Sequence, residues 1–215
     1  MSELIPVSSP GRTLFYGQPG DPVVVVLHDM YGRLPSLGSF ATTLATRGFR
    51  VAVPDLYEGS ATLDELTARS LLDSLDLGTA LAEIDDAVVE AQETGIERVG
   101  LVGFSMGGWL ALLHAQAGAV DAVVAYYASL SAAEHGVIPC PVLLQWAESD
   151  DWRESENPAA FVARLKDHGT PVNQHTYLAT RHGFANASLP ALVDAQAAAL
   201  AFARTAVFFE QHIID

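Results

Sequence analysis

The stretch Val99-Gly100-Leu101-Val102-Gly103-Phe104-Ser105-Met106-Gly107-Gly108 constrains the fold of this chain more than any other. Val99 to Val102 is a short apolar run and reads as a buried strand. Apolar residues at helical spacing (Trp109, Leu110, Leu112, Leu113) follow at once. Between them lies Gly103-Phe104-Ser105-Met106-Gly107, a G-x-S-x-G pattern. A serine at a sharp strand-to-helix turn projects its hydroxyl clear of the sheet. The crowded backbone of such a turn requires small residues two before and two after the serine, and Gly103 and Gly107 satisfy that. The helix starting there aims unpaired N–H groups at any charge developing nearby. Ser105 is therefore a candidate nucleophile; a capping serine in a glycine-rich turn is the plainer alternative.

The flanking chain sets this turn in an alternation of strands and helices. Arg12 to Tyr16 reads as an edge strand, after a loose lead-in over Met1 to Pro10. Val23-Val24-Val25-Val26-Leu27 is a β-branched run, the signature of a strand covered on both faces. Helical spacing follows over Ser36 to Thr46, then a strand at Phe49 to Val53. Leu56 to Leu77 holds one or two short helices, and Thr79 to Gln92 a clear amphipathic one. Beyond the serine turn and its helix, strands are expected at Val120 to Tyr127, Val142 to Trp146 and Val172 to Tyr177. Asn157 and Pro158 open a helix to His168, and Pro190 to Gln211 reads as a long closing helix. This pattern predicts a mostly parallel sheet with helices on both faces. It contains no linker or repeat, so residues 1–215 are expected to form one domain. In such sheets the site forms at the C-terminal strand ends. Four polar clusters fall there: His28/Asp29, Ser105, Asp150/Asp151 and His182.

Charge and composition narrow the partners. The net charge is −15, with Lys166 the single lysine. Such a surface repels phosphate backbones and anionic lipid, so neither nucleic acid nor membrane is an expected partner. The apolar run at 23–27 is far too short to span a bilayer. Cys140 is the single cysteine, which excludes an internal disulfide, and the start shows no secretory signal pattern; a cytoplasmic location is expected. A monomer or small homo-oligomer is expected.

A serine attacks only when a base takes its proton and an acid orients that base. After Ser105 the chain offers Asp150 or Asp151, then His182, each at the end of an expected strand. Asp150 is preferred, with Asp151 left as a solvated loop charge. Of the seven histidines, His182 stands out because Arg181-His182-Gly183-Phe184 follows the last strand. An oxyanion needs two N–H donors; Met106 and Met30 are the candidates. His28 and Asp29 are too small a set for zinc, so no metal or cofactor is expected. Glycines 103 to 108 follow a strand, but no lysine follows them, which excludes a phosphate-binding P-loop.

These residues resemble the dienelactone hydrolase family of the α/β-hydrolases, from about Pro22 to the C-terminus. The resemblance lies in Val53-Pro54-Asp55-Leu56-Tyr57, in Arg98 to Gly108 with Ala125-Tyr126-Tyr127, in Pro141-Val142-Leu143 leading to Asp150, and in His182-Gly183-Phe184. It implies an α/β-hydrolase fold without a large lid, an exposed pocket, and hydrolysis of a small carboxylic ester or lactone. Three departures stand out. The best-known members have a cysteine where this chain has Ser105, and a glutamate where it has Asp29. Lactone-specific members carry a carboxylate-binding arginine four residues past the histidine, where this chain has Asn186. With serine, Asp29 can hydrogen-bond into the oxyanion loop or pair with an arginine. Arg69 aligns only loosely with the family's other carboxylate-binding arginine. Asp29, Tyr31 and Asn186 are the substrate-contact candidates. A thioesterase or acyltransferase on the same triad, and a non-catalytic ligand-binding protein of the same fold, are the alternatives.

Overall fold

The computed structural model describes residues 4–93, 98–152 and 157–214. Nine strands and six helices run in chain order through these residues. Seven strands make the main sheet: β2 (Leu14–Tyr16), β4 (Arg50–Val53), β3 (Val23–Leu27), β6 (Val99–Phe104), β7 (Ala122–Tyr126), β8 (Val142–Ser149) and β9 (Val172–Arg181), in that spatial order. β2 pairs antiparallel with β4; every other pairing is parallel. From β3 the chain first adds β4 on one side and later β6 on the other. Sheet growth therefore reverses between β3 and β6, the position where open α/β sheets bind ligands.

Strand periodicity explains the layers. β3 is fully buried, and its side chains alternate between two cores. Val23, Val25 and Leu27 pack with α3 (Leu77–Gln92), α4 (Met106–Ala115) and α5 (Pro158–Asp167). Val24 and Val26 pack with α1 (Pro35–Ala45) and α6 (Ala195–Phe209). A continuous valine run is what a two-sided strand requires. The helices start where their caps dictate: Asp64 accepts the Thr67 N–H at α2 (Glu65–Asp73), Asp76 the Thr79 N–H at α3, and Asp194 the Ala197 N–H at α6.

Three features differ from the sequence-based expectation. The N-terminal segment is not wholly a lead-in: β1 (Leu4–Pro6) pairs antiparallel with β5 (Ser60–Thr62) in a separate two-stranded sheet. The last helix begins at Ala195 rather than Pro190, because residues up to the Asp194 cap form turns, and it ends in a π-helical turn over Glu210–Ile214. β8 and β9 run longer than their apolar runs, with a register irregularity between Ala147 and Ser149. That extension carries both strands to the site. Among the described residues no helix is long and apolar enough to cross a membrane.

Candidate active site

Ser105 sits between β6 and α4 with φ 53° and ψ −115°. A non-glycine residue at positive φ stores strain. Here it is over-determined by neighbours: the Ser105 N–H donates to Tyr126 O at 3.0 Å, and Ser105 O accepts from Trp109 N–H at 2.9 Å. The two flanking glycines make the turn possible. A Cβ on Gly103 would collide with the backbone of Gly107, and one on Gly107 with the carbonyls of Leu27 and His28. The small-residue requirement is thus steric, and it seats the turn directly on the end of β3.

Three strand ends bring the expected triad residues together. His182 Nε2 lies 2.7 Å from Ser105 Oγ, and His182 Nδ1 lies 2.8 Å from Asp150 Oδ1. Asp150 Oδ1 also accepts the Trp152 N–H at 3.1 Å, and its side chain is 1% exposed. Asp151 is exposed, and it is Asp150 that meets the imidazole. The imidazole is held between rings, with Tyr127 at 4.7 Å between centroids and Trp152 at 5.9 Å. Tyr127, at φ 41°, is a second strained residue beside the serine. Nothing in the sequence signals this packing on His182, since Tyr127 and Trp152 lie far from it along the chain.

Residues 28–32, after β3, form the opposite wall. His28 is 1% exposed, and burial lowers its pKa from 6.5 to about 4. The neutral ring staples the loop: Nδ1 lies 2.7 Å from Asp29 O, and Nε2 accepts Leu56 N–H at 3.2 Å. Asp29 Oδ1 accepts the Tyr31 N–H at 3.0 Å, and Gly32 N–H closes the turn on Asp29 O at 3.1 Å. Burial pushes the Asp29 carboxyl above its usual range, with the hydrogen bonds from the Asn186 amide and the Tyr31 N–H opposing. This turn leaves Met30 beside Ser105 in the cavity wall. Among the described residues, neither the Met30 nor the Met106 N–H has a hydrogen-bond partner.

Two lobes meet at Ser105 and His182. One, about 400 Å³, is walled by Leu72, Trp109, Tyr127 and Trp152, with Glu134 at its side. The other, about 230 Å³, is lined by Tyr31, Glu65, Arg69, Asp151 and Arg181. Burial and Glu65 push the Tyr31 phenol up to about 12. Asn186, expected among the substrate contacts, lies elsewhere. It lines a separate cavity of about 30 Å³ behind the 28–32 loop, and its amide is spent on Asp29, Ser36 and Ser188. Among the described residues no three His, Cys, Asp or Glu side chains group as metal ligands.

The dienelactone hydrolase family model matches residues 12–213. The chain belongs to the dienelactone hydrolase family. It is a hydrolase of the ester and lactone class. A carboxymethylenebutenolidase of Rhodococcus opacus is 29% identical over 211 residues, covering 88% of this chain and 81% of that protein. "Protein usf" of Aquifex pyrophilus is 25% identical over 207 residues, covering 90% of both. Solved folds agree: a putative dienelactone hydrolase of Klebsiella pneumoniae superposes with TM-score 0.74 at 21% identity, over 89% of this chain and 88% of that one. A dienelactone hydrolase-like promiscuous phosphotriesterase from metagenomic libraries gives 0.76 at 21% identity, over 95% and 88%.

Proposed function

We propose that this family member is a serine hydrolase that cleaves a small, neutral carboxylic ester or lactone through an acyl-enzyme. The hydrogen-bonded chain Ser105 Oγ, His182, Asp150 carries the reading. Ser105 Oγ attacks the carbonyl carbon as its proton passes to His182 Nε2. Asp150 holds Nδ1–H, fixing the tautomer and stabilising the imidazolium. The oxyanion is received by the N–H groups of Met106 and Met30. Collapse expels the alkoxide, which takes the proton back from His182. Water, deprotonated by His182, then attacks the acyl-enzyme and frees the acid and Ser105.

The charge balance of the smaller lobe supports a neutral substrate. Arg69 is already paired with Glu65 at 2.7 Å, and its guanidinium lies 3.9 Å over the Trp152 ring. Arg181 shares the lobe with Asp151, and Asn186 supplies no cation there. The larger lobe, with its aromatic walls, suits an apolar group on one side of the carbonyl.

A fluorophosphonate probe tests the nucleophile: the folded protein is expected to carry one adduct, on Ser105, absent from Ser105→Ala. No adduct on folded protein would favour the ligand-binding alternative. Rates on a panel of p-nitrophenyl esters, lactones and acyl-CoA test the leaving group; a preference for acyl-CoA would move the assignment to thioester chemistry.

A further inference from the structure

Asp29 is a buried carboxylate whose contacts among the described residues are neutral donors. Oδ1 takes the Tyr31 N–H at 3.0 Å and Oδ2 the Asn186 amide Nδ2 at 2.8 Å. Desolvating a carboxylate is expensive, so a site that keeps one without a contacting cation must use both of its oxygens. An asparagine at 29 could cap only one of these two donors. Asn186 is equally committed on its other side. Its Oδ1 accepts the Ser36 hydroxyl at 2.9 Å and the Ser188 N–H at 2.9 Å. Its own N–H closes a turn on Gly183 O at 2.9 Å, the residue after His182. One hydrogen bond thus joins the loop bearing Met30 to the loop bearing His182, with the first turn of α1 as a third anchor.

We propose that Asp29 and Asn186 form a positioning bridge that keeps the Met30 N–H and the His182 imidazole in register across Ser105. Neither touches the reacting atoms in this role. Asp29 shapes the turn that presents Met30, and Asn186 ties that turn to the segment following the base. The inference rests on the serine-hydrolase reading for its catalytic consequence, and on the hydrogen bonds alone for its mechanical one.

The donor pattern allows a reciprocal test. Asp29→Asn leaves two amide NH2 groups competing at the bridge, and Asn186→Asp sets two carboxylates face to face. The double exchange satisfies every partner: an asparagine at 29 accepts Tyr31 N–H and donates to an aspartate at 186, which still accepts from Ser36 and Ser188. On p-nitrophenyl acetate, with active sites counted by fluorophosphonate, each single variant is expected to lose about 10–100-fold in kcat with KM changed less than about threefold. The double variant should recover to within about fivefold of the parent. A purely structural role would lower the folded fraction and leave kcat per active site unchanged, which overturns the proposal; so does a double variant no better than the worse single. Should Asn186→Asp fail to fold, Asn186→Ser removes the bridge without adding charge and is expected to show the same kcat loss. Amide hydrogen exchange over residues 28–34 and 182–189 reads the bridge independently of chemistry. Faster exchange in both segments in each single variant, restored in the double, is expected; unchanged exchange overturns the bridge. An unlabelled but folded parent would instead sink the serine reading while leaving the exchange result to decide the bridge.

Discussion

Two loops at neighbouring strand ends build the two halves of this site, and they are held by opposite means. The Ser105 turn is held by exclusion: Gly103 and Gly107 leave no room for a Cβ, and a backbone at φ 53° is locked by packing of β3 against α4. The 28–32 loop is held by polar side chains, the buried neutral His28 and the buried Asp29. Steric confinement is indifferent to pH and unforgiving of volume. Polar confinement tolerates small changes of volume and depends on protonation. The same candidate site therefore has one wall that should break by size and another that should break by charge.

The largest expected effects fall on the proposed triad, whose nucleophile the steric wall carries. Ser105→Ala or His182→Ala should reduce kcat on a p-nitrophenyl ester by about 10⁴-fold or more, since the members of the proposed triad would act as a unit. Asp150→Asn should cost about 10³–10⁴-fold, by freeing the wrong imidazole tautomer. Gly107→Ala adds one methyl group and no charge. It must push the turn off the carbonyls of Leu27 and His28, so a loss of at least about 10²-fold in kcat is expected wherever the protein still folds. Near-normal turnover in Gly107→Ala would show that the wall yields, and would remove the steric half of the contrast.

How far each wall could be read in advance follows from the same difference. A steric turn leaves a local signature, since glycines at fixed offsets from a serine, after an apolar run, can be read without knowing what packs nearby. Long strands were legible for that reason, as were the strand ends that gather Ser105, Asp150 and His182. The polar loop was only partly legible. For Asp29 a bond into its own turn was one of two open readings, beside an arginine partner, because an aspartate reaching two residues ahead is a local event. Asn186 was not, because an amide can serve a substrate or a distant carboxylate, and its partner Asp29 is 157 positions away. β1 escaped for a related reason: three residues without periodicity pair with β5, more than fifty residues on. The start expected for the last helix at Pro190 is too early because Leu192 and Val193 N–H close turns on Leu189 O and Asp194 N–H donates to Phe184 O, before the Asp194 side chain caps the helix.

The polar wall should break with pH. His28 has its pKa lowered to about 4 by burial, against an ordinary 6.5. The unfolded chain takes up this proton first as pH falls. The His28 contribution to stability is complete above 6.5 and is lost progressively between 6.5 and about 4. By pH 4.5 the loss amounts to about 2–3 kcal/mol. Asp29 acts in the opposite sense: its raised pKa means that protonation on acidification relieves the cost of burying its charge. Comparing the parent with His28→Gln isolates the histidine. Glutamine can donate to Asp29 O and accept from Leu56 N–H without titrating. Urea unfolding at pH 7.5 and 4.5 should show the parent losing about 2–3 kcal/mol more than His28→Gln over this interval. Equal losses would mean that His28 does not hold the loop as a neutral ring.

The smallest effect concerns whether the two walls move together. Tyr57 touches both: its ring lies 4.9 Å from the His28 ring, and its hydroxyl donates to Met106 Sδ at 3.1 Å. Thioether sulfur is a weak acceptor, so this bond is a fine adjustment between the loop and the start of α4. Tyr57→Phe keeps the ring and deletes only that donor. About 0.5–1 kcal/mol of stability should be lost, as for one modest hydrogen bond. If the walls are independent, kcat should stay within about threefold, since the glycine contacts still seat Ser105. A loss approaching that of Gly107→Ala would show that Met106 is positioned from the polar side through Tyr57. The distinction between a wall that breaks by size and one that breaks by charge would then hold for Ser105 but not for the amide beside it.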